Sequence, residues 1–547
     1  MTAALPPTAW TTGTTEVFKT GTWRAALPQH LARPSPCHQA CPVNGLIAEW
    51  IGHARAGDLR RAWEVLTLNN PFPAIAGRIC HHPCESACNR AGYDEAVSVC
   101  RLERAVGDAA LEAGWAYAPV TEERAGHVAV VGGGPSGLSA AYQLRRRGWR
   151  VSLYDAKPRL GGLMRYGIPD YRLPRPVLDG EIERILALGV EVHCGVALRT
   201  PEDLQRIRER HDMVYLALGA ARPKALPQLP AQAPWLMQGT DYLARCADGE
   251  APRLGERVVV IGGGSSAMDV ARSARRNGCS VTVLSLEART AMPAQREEVQ
   301  EALEEGVLLC DSTMLRGVAG DGPLQLECVR VRFEPGAAGA PPRIEVTGNG
   351  TFTLQADAVL TAIGQDADLT PFAADATAGG LLRVDAQQAT TVPGVWAGGD
   401  LASMARFLSE AVGMGKRAAL DIDRALRGQA RAQALPQQQP VRLGEIATWY
   451  HPPQRRPEHR LLDVPQRLSG GDEVQLALSP AEVRAEAARC FSCGSCTSCD
   501  NCFQYCPDLA VTHTDGGYAV LADYCKGCGV CVRECPTGSM LMREELK

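Results

Sequence analysis

The stretch HVAVVGGGPSGLSAAYQLRRRGWRVSLYD, residues 127–155, decides the reading of the fold. His127 to Val131 is a short apolar run of strand length, Gly132 to Gly137 a turn, and Leu138 to about Arg147 a helix, with a second strand from Arg150 to Tyr154. Gly132 permits the tight turn, Gly134 lets a pyrophosphate approach the backbone, and Gly137 lets the helix sit close to the strand. The first amides of that helix then face the phosphate charge. Asp155 ends the second strand, where its carboxylate can accept from an adenosine ribose. A G-x-G-x-x-G match alone is weak evidence. Here strand, helix and acid follow in order, and together they mark a dinucleotide site.

A second copy begins at Arg257 to Ile261, followed by Gly262, Gly263, Gly264, Ser265, Ser266 and Ala267, a helix to about Arg276, and a strand from Ser280 to Leu284. Alanine serves in the third glycine position because only close helix packing is needed there. Two such turns imply two dinucleotides, a resident flavin that accepts a hydride and an exchangeable nicotinamide. From Gly126 to about Asp423, Val/Ile/Leu-rich strands alternate with Ala/Arg-rich helices, the pattern of parallel sheets in an α/β protein.

The chain has 547 residues, enough for three or four domains, and a net charge of -4 without a basic stripe, which argues against a nucleic-acid partner. Its longest apolar runs, such as Val214 to Ala221, fall well short of the ~20 residues of a membrane span. The Pro/Thr-rich start shows no secretory pattern, so a reducing, cytoplasmic setting is expected. In that setting 21 cysteines point to metal or redox chemistry rather than disulfides. Six lie between Cys37 and Cys100 and ten between Cys490 and Cys535. The other five (Cys194, Cys246, Cys279, Cys310, Cys328) are read as ordinary core or surface residues.

Cys496, Cys499, Cys502 and Cys506-Pro507, then Cys525, Cys528, Cys531 and Cys535-Pro536, both show the C-x2-C-x2-C-x3-C-P spacing of a two-cluster bacterial ferredoxin. The fourth cysteine of each run ligates the other cluster. One 4Fe-4S site is therefore Cys496, Cys499, Cys502 and Cys535, and the other Cys506, Cys525, Cys528 and Cys531. Zinc is the competing metal, and the paired runs ending in proline argue against it. Around the N-terminal cysteines, Leu46, Ile47, Trp50, Ile51 and Ala54, then Leu59, Trp63 and Leu66, recur at helical spacing.

The run Gly161, Gly162, Leu163, Met164, Arg165, Tyr166, Gly167, Ile168, Pro169, with Tyr171, Arg172, Leu173 and Pro174, resembles the small subunit of glutamate synthase and the N-terminal part of dihydropyrimidine dehydrogenase. The marks Ala362-Ile363-Gly364 and Gly398-Gly399-Asp400 fit the same family, and the likeness covers about residues 37 to 425. It implies FAD at the first turn, with Gly162, Gly399 and Asp400 near the flavin, and NAD(P)H at the second turn in a domain inserted within the FAD domain. The C-terminal module is also similar to the ferredoxin-like subunit of 2-oxoacid:ferredoxin oxidoreductases. The expected architecture is α/β and multidomain. A helical iron-sulfur domain spans 1–125, an FAD domain 126–250 and 357–426, an NAD(P) domain 251–356, a linker 427–487, and an α+β ferredoxin-like module 488–547. The glutamine-rich stretch Arg427 to Pro440 opens the linker.

The chain departs from that family at two places. NADPH-using members carry arginines at the end of the second nucleotide strand, whereas here stand Ser285, Leu286 and Glu287. A carboxylate there repels a 2'-phosphate and can bond a free hydroxyl, which favours NAD(H) over NADP(H), although Arg289 keeps the alternative open. The second departure is in the N-terminal cysteines. By resemblance Cys41, Cys80 and Cys84 are three ligands of the flavin-proximal cluster, with Cys100 favoured over Glu103 as the fourth. Cys37 and Cys88 match half of another cluster, whose upstream C-x2-C pair is missing. Cys490 and Cys493 are surplus to the ferredoxin module and can supply that pair, from the same chain or from a second copy in a homodimer. This makes four clusters; the competing reading is three, with unused thiols.

The function implied is an NAD(P)H:acceptor oxidoreductase moving electrons between NADH and a redox protein, ferredoxin or enzyme subunit, through FAD and 4Fe-4S clusters. A dissimilatory sulfite reductase, a 2-oxoacid oxidoreductase or an aromatic-ring reductase would be a suitable partner. The rivals are a true glutamate synthase small subunit and a non-catalytic electron-wiring subunit. No nucleophilic catalytic set is seen, and no residue is assigned to acid or base catalysis.

Overall fold

The strand His127–Val131 lies at the centre of a five-stranded parallel sheet. The order is Val395–Ala397, Met213–Leu216, His127–Val131, Arg150–Asp155, Glu191–Cys194. Val128 and Val130 face one hydrophobic layer with Leu138, Ala141 and Tyr142 of the following helix, while Ala129 and Val131 face another with Leu216 and Leu401. Burial on both faces explains the uninterrupted apolar run. This computed structural model describes residues 19, 21, 24–230, 232–320, 323–336, 342–431 and 438–545.

The second turn belongs to another five-stranded parallel sheet, ordered Leu308–Cys310, Ser280–Leu284, Arg257–Ile261, Ala358–Thr361, Leu236–Gln238. One face packs on the helix Ser265–Arg276, and the other on a three-stranded antiparallel sheet, Thr313–Ala319, Leu324–Glu334 and Arg343–Ala356. Leu236–Gln238 and Ala358–Thr361 extend this sheet beyond the expected limits of 251 and 356. Parallel neighbours are joined by crossovers, so the chain enters and leaves an inserted sheet through strands that sequence alone assigns equally well to the host domain. Cys279 and Cys328 are buried core residues of this unit.

The N-terminal cysteines lie in or beside short helices packed among Ile47–Arg55, Leu59–Thr67, Pro73–Ile79 and Val99–Glu112. Trp50, Trp63, Phe72 and Ile75 fill their core, which is continuous with that of the first nucleotide domain. Polar groups tie the two together. Glu181, fully buried, accepts from the backbone N–H groups of Ala74 and Ile75 at 3.0 Å each, and Tyr142 donates to the Thr67 carbonyl at 2.6 Å.

Residues 441–479, expected as linker, form an ordered strap across the N-terminal helices. Arg78 pairs with Glu473, Arg104 donates to the Gln475 carbonyl, Arg101 to those of Pro457 and Glu458, and Tyr93 to that of His451. Residues 432–437 of the glutamine-rich stretch lie outside the described residues. The last strand, Met540–Glu544, pairs antiparallel with Ala26–His30. Residues 26–30 therefore belong structurally with the C-terminal module rather than with the helical domain that follows them. Among the described residues no helix is long and apolar enough to cross a membrane.

Candidate cofactor and cluster sites

At the first turn Gly132 has φ +111°, and a Cβ on Gly137 would stand 1.8 Å from the Gly132 carbonyl oxygen, so the helix touches the turn only because Gly137 lacks a side chain. Asp155 Oδ2 accepts from the Gly133 N–H at 2.7 Å, placing its carboxylate over the turn. Gly161 donates to the Gly133 carbonyl, and a Cβ on Gly162 would lie 2.8 Å from the Gly134 Cα. A Cβ on Gly134 itself would meet nothing nearer than 3.8 Å. The backbone beside the N-terminus of an 11-residue helix is thus left open, a cradle that fits a pyrophosphate. Gly399 closes the same cradle, since its Cβ would lie 3.1 Å from the Ser136 Cβ. Burial pushes the Asp400 carboxyl above its ordinary value, against the nearby Arg406.

Two glycines not singled out in the sequence join this cradle to the cysteines. The helix Leu408–Leu426 carries Gly413, whose Cβ would stand 2.3 Å from the Pro42 carbonyl oxygen, and Gly415, whose Cβ would stand 2.1 Å from that of Ser136. The helix therefore fits closely between the residue after Cys41 and the first nucleotide helix. A pair of glycines inside an otherwise strong helical pattern was the available signal.

The second turn repeats the first. Glu287 Oε2 accepts from Ser285 Oγ at 2.6 Å and would lie 2.5 Å from a Cβ on Gly263, the station that Asp155 holds over Gly133. Gly262 has φ +146°, Gly264 has open space where a Cβ would be, and Ala267 is buried against the strand. Arg289 turns to Gln300, donating to its Oε1 at 3.1 Å. Tyr171 and Arg172, noted above only as part of a family run, anchor this domain. Arg172 is held between Asp269 at 2.7 Å and Glu298 at 2.6 Å, all three largely buried, and Arg276 lies over the Tyr171 ring.

The cysteines gather into four groups. Cys41, Cys80 and Cys84 line one mostly apolar cavity with Glu103, Asn70, Leu408, Ser409 and Val412. Burial, with Glu103 nearby, pushes the Cys80 thiol up to about 12. Glu103 accepts from Asn70 Nδ2 at 2.8 Å, and burial raises its carboxyl to about 7. Cys100 lies outside the cavity lining, its thiol donating to the Ala76 carbonyl at 3.3 Å. Cys100 and Glu103 lie one turn apart on the same helix face, and of the two it is Glu103 whose side chain lines this cavity, whereas sequence favoured Cys100. Cys37, Cys88, Cys490 and Cys493 line a second cavity, which shares Ile47 and Val99 with the first.

In the C-terminal module burial pushes the Cys502 thiol up to about 12, helped by its neighbours Cys535, Cys499 and Cys496. Cys531 is raised likewise, beside Cys525, Cys506 and Cys528. Cys502 of the first set is also a neighbour of Cys531, so the two sets lie side by side in the module. Among the described residues no group of three His, Cys, Asp or Glu side chains is arranged to hold a single metal ion. Four thiols gathered in one place suit a 4Fe-4S cluster, whose ligands each bind a different iron.

Two cradled glycine turns flanked by buried thiol groups define a nucleotide-linked flavin and iron-sulfur electron-transfer protein. Residues 126–415 match the pyridine nucleotide-disulphide oxidoreductase model, residues 31–115 that of dihydropyrimidine dehydrogenase domain II with its 4Fe-4S cluster, and residues 518–540 a 4Fe-4S binding domain. The chain belongs to the pyridine nucleotide-disulphide oxidoreductase family and is an NAD(P)H-dependent oxidoreductase. It is 33% identical to the beta subunit of an NADP(+)-dependent formate dehydrogenase from Moorella thermoacetica, over 83% of this chain and 70% of that one. The small chain of the NADPH glutamate synthase of Azospirillum brasilense is 31% identical, over 72% of this chain and 87% of its own. The NAD-dependent dihydropyrimidine dehydrogenase subunit PreT of Escherichia coli is 32% identical, over 73% and 92%.

Proposed function

We propose that this chain exchanges electrons between NAD(H) and a one-electron redox protein or partner enzyme subunit. When bound, FAD accepts a hydride and releases electrons singly, and 4Fe-4S clusters carry them one at a time. The observation that carries the reading is the helix Leu408–Leu426. Its Gly415 rests on the first nucleotide helix while its Leu408, Ser409 and Val412 wall the cavity of Cys41, Cys80 and Cys84.

Gly132, Gly134, Gly137 and Gly162 would receive the FAD pyrophosphate, with Asp155 at the ribose and Gly399 and Asp400 at the flavin side. Gly262, Gly264 and Ala267 would receive the nicotinamide nucleotide. Glu287 would select the unphosphorylated ribose. Cys41, Cys80, Cys84 and Glu103 would hold the flavin-proximal cluster, and the eight cysteines from Cys496 to Cys535 two more. In the C-terminal module Cys496, Cys499 and Cys528 are exposed, which makes that module the natural place for a partner to dock. Three relatives are named as subunits or chains of larger enzymes, which supports a separate partner.

Anaerobic reduction with NADH and with NADPH, following flavin bleaching and cluster absorbance together, tests the proposal. Rapid bleaching of both chromophores by NADH is expected, with NADPH much slower. Failure of either nucleotide to bleach the flavin would leave only a wiring role.

A further inference from the structure

The module matched at residues 518–540 and the N-terminal domain matched at residues 31–115 leave Cys490 and Cys493 without a role. They stand about 400 residues from Cys88 in sequence, yet the structure places them in one cavity with it and with Cys37. We infer that Cys37, Cys88, Cys490 and Cys493 hold a further 4Fe-4S cluster, whose ligands come from the two ends of a single chain.

Three independent observations support the site. The first is the lining itself. Apart from the four cysteines it is built mainly from apolar side chains, with Ser35, Asn89 and Arg90 as its polar members, so the thiols are the soft metal-ligating groups facing the space. The second is the local turn. After Cys496 and after Cys525 the residue two positions on has positive φ (Ser498 +54°, Gly527 +73°), and its N–H points at the cysteine sulfur at 3.4 Å. Cys490 is followed by the same turn, with Ser492 at φ +50° and its N–H 3.4 Å from Cys490 Sγ. Cys80, in the flavin-proximal group, has it too, at His82. A left-handed residue at a non-glycine position is costly, and a concavity of backbone N–H groups stabilises negative charge such as that of a thiolate-bound cluster. Cys493 and Cys37 receive further polar contacts, from Asn89 Nδ2 at 3.4 Å and Ser35 Oγ at 3.1 Å.

The third observation is how firmly the C-terminal pair is held. Arg489, fully buried, pairs with Glu486 and Asp94 and donates to the Glu95 carbonyl, and Glu486 accepts from the Ser98 N–H. Gly494, at φ +75°, lies so close to Arg33 that a Cβ would stand 2.0 Å from its carbonyl oxygen. Position gives the site its purpose. It shares Ile47 and Val99 with the flavin-proximal cavity, while Cys493 is three residues from Cys496 of the ferredoxin module. It thus fills the step between the two, and so rests on the electron-transfer role proposed above.

The test is a metal count on the full-length chain purified without oxygen, with iron, sulfide, zinc and flavin measured on one sample. About 16 irons and 16 sulfides per chain are expected, four for each of four clusters. In the C490S/C493S double variant about 12 of each should remain, with the flavin content unchanged and the EPR signal of the reduced clusters lower by about one spin. About 12 irons in the unmodified chain, zinc near one per chain, or an unchanged count in the variant would overturn the inference. The unmodified count needs no variant to fold. NADH bleaching of the flavin in the same sample decides the oxidoreductase proposal separately, since it does not depend on the number of clusters.

Discussion

Replacing Glu287 by glutamine should shift the nucleotide preference toward NADPH. Its Oε2 stands over the glycine turn, fixed by Ser285 Oγ at 2.6 Å. A second negative group brought within about 5 Å of it, at an effective dielectric of about 20, is opposed by about 3 kcal/mol. Glu287 is only half-buried, and solvent screening reduces this to about 1–2 kcal/mol, a factor of about 5–30 in relative kcat/KM. Glutamine keeps a hydrogen-bonding group over the turn and removes the charge, so the NADH rate should change little while the NADPH rate rises. Steady-state dye reduction with each nucleotide at two ionic strengths measures this. The gap between wild type and variant should narrow at high salt if charge is the cause. A ratio unmoved by E287Q, or equal losses with both nucleotides, would refute the reasoning.

Other substitutions test the remaining parts. Gly137→Ala would set a methyl 1.8 Å from the Gly132 carbonyl oxygen and should yield protein purified without flavin, read from its visible absorbance. Gly413→Ala, crowding the Pro42 carbonyl at 2.3 Å, should leave flavin reduction by NADH intact but slow the bleaching of the clusters in stopped flow. Glu103→Ala should alter the EPR signal of the flavin-proximal cluster, whereas Cys100→Ala should retain it; the reverse result would return the ligand role to Cys100. Asp94 accepts from Arg90, Arg489 and the N–H groups of Gln454 and Glu95, so Asp94→Ala strands buried guanidinium charge at a cost of about 3–5 kcal/mol. Limited proteolysis should then release the C-terminal module. Burial opposes ionisation of Asp94, but these hydrogen bonds outweigh it and hold the carboxyl below its ordinary 3.8. Its stabilisation is therefore complete above that pH and declines as pH falls from it toward the depressed folded-state value, so the susceptibility of the wild-type chain should approach that of the variant progressively over that range.

Much of this protein was legible in local sequence, because the signals are short-range. Glycine spacing, an acid one strand on, and the C-x2-C-x2-C-x3-C-P runs each specify chemistry within about 30 residues. They announced both nucleotide turns and the ferredoxin module, and the pattern of parallel strands set the class of fold. The domain limits were less legible, since strands Leu236–Gln238 and Ala358–Thr361 look the same in either sheet until pairing is known. Likewise the strap of residues 441–479 reads as polar linker, because its partners are arginines and carbonyls on a distant domain rather than its own neighbours.

What sequence alone determined was the set of cofactor classes and the presence of two glycine turns. Only the tertiary structure decided which cysteines meet. Ligand partnership depends on where the chain returns in space. The pairing of Ala26–His30 with Met540–Glu544 and the burial of Arg489 bring Cys490 and Cys493 to Cys37 and Cys88, and the packing of one helix leaves Glu103 rather than Cys100 in the lining of the Cys41, Cys80 and Cys84 cavity.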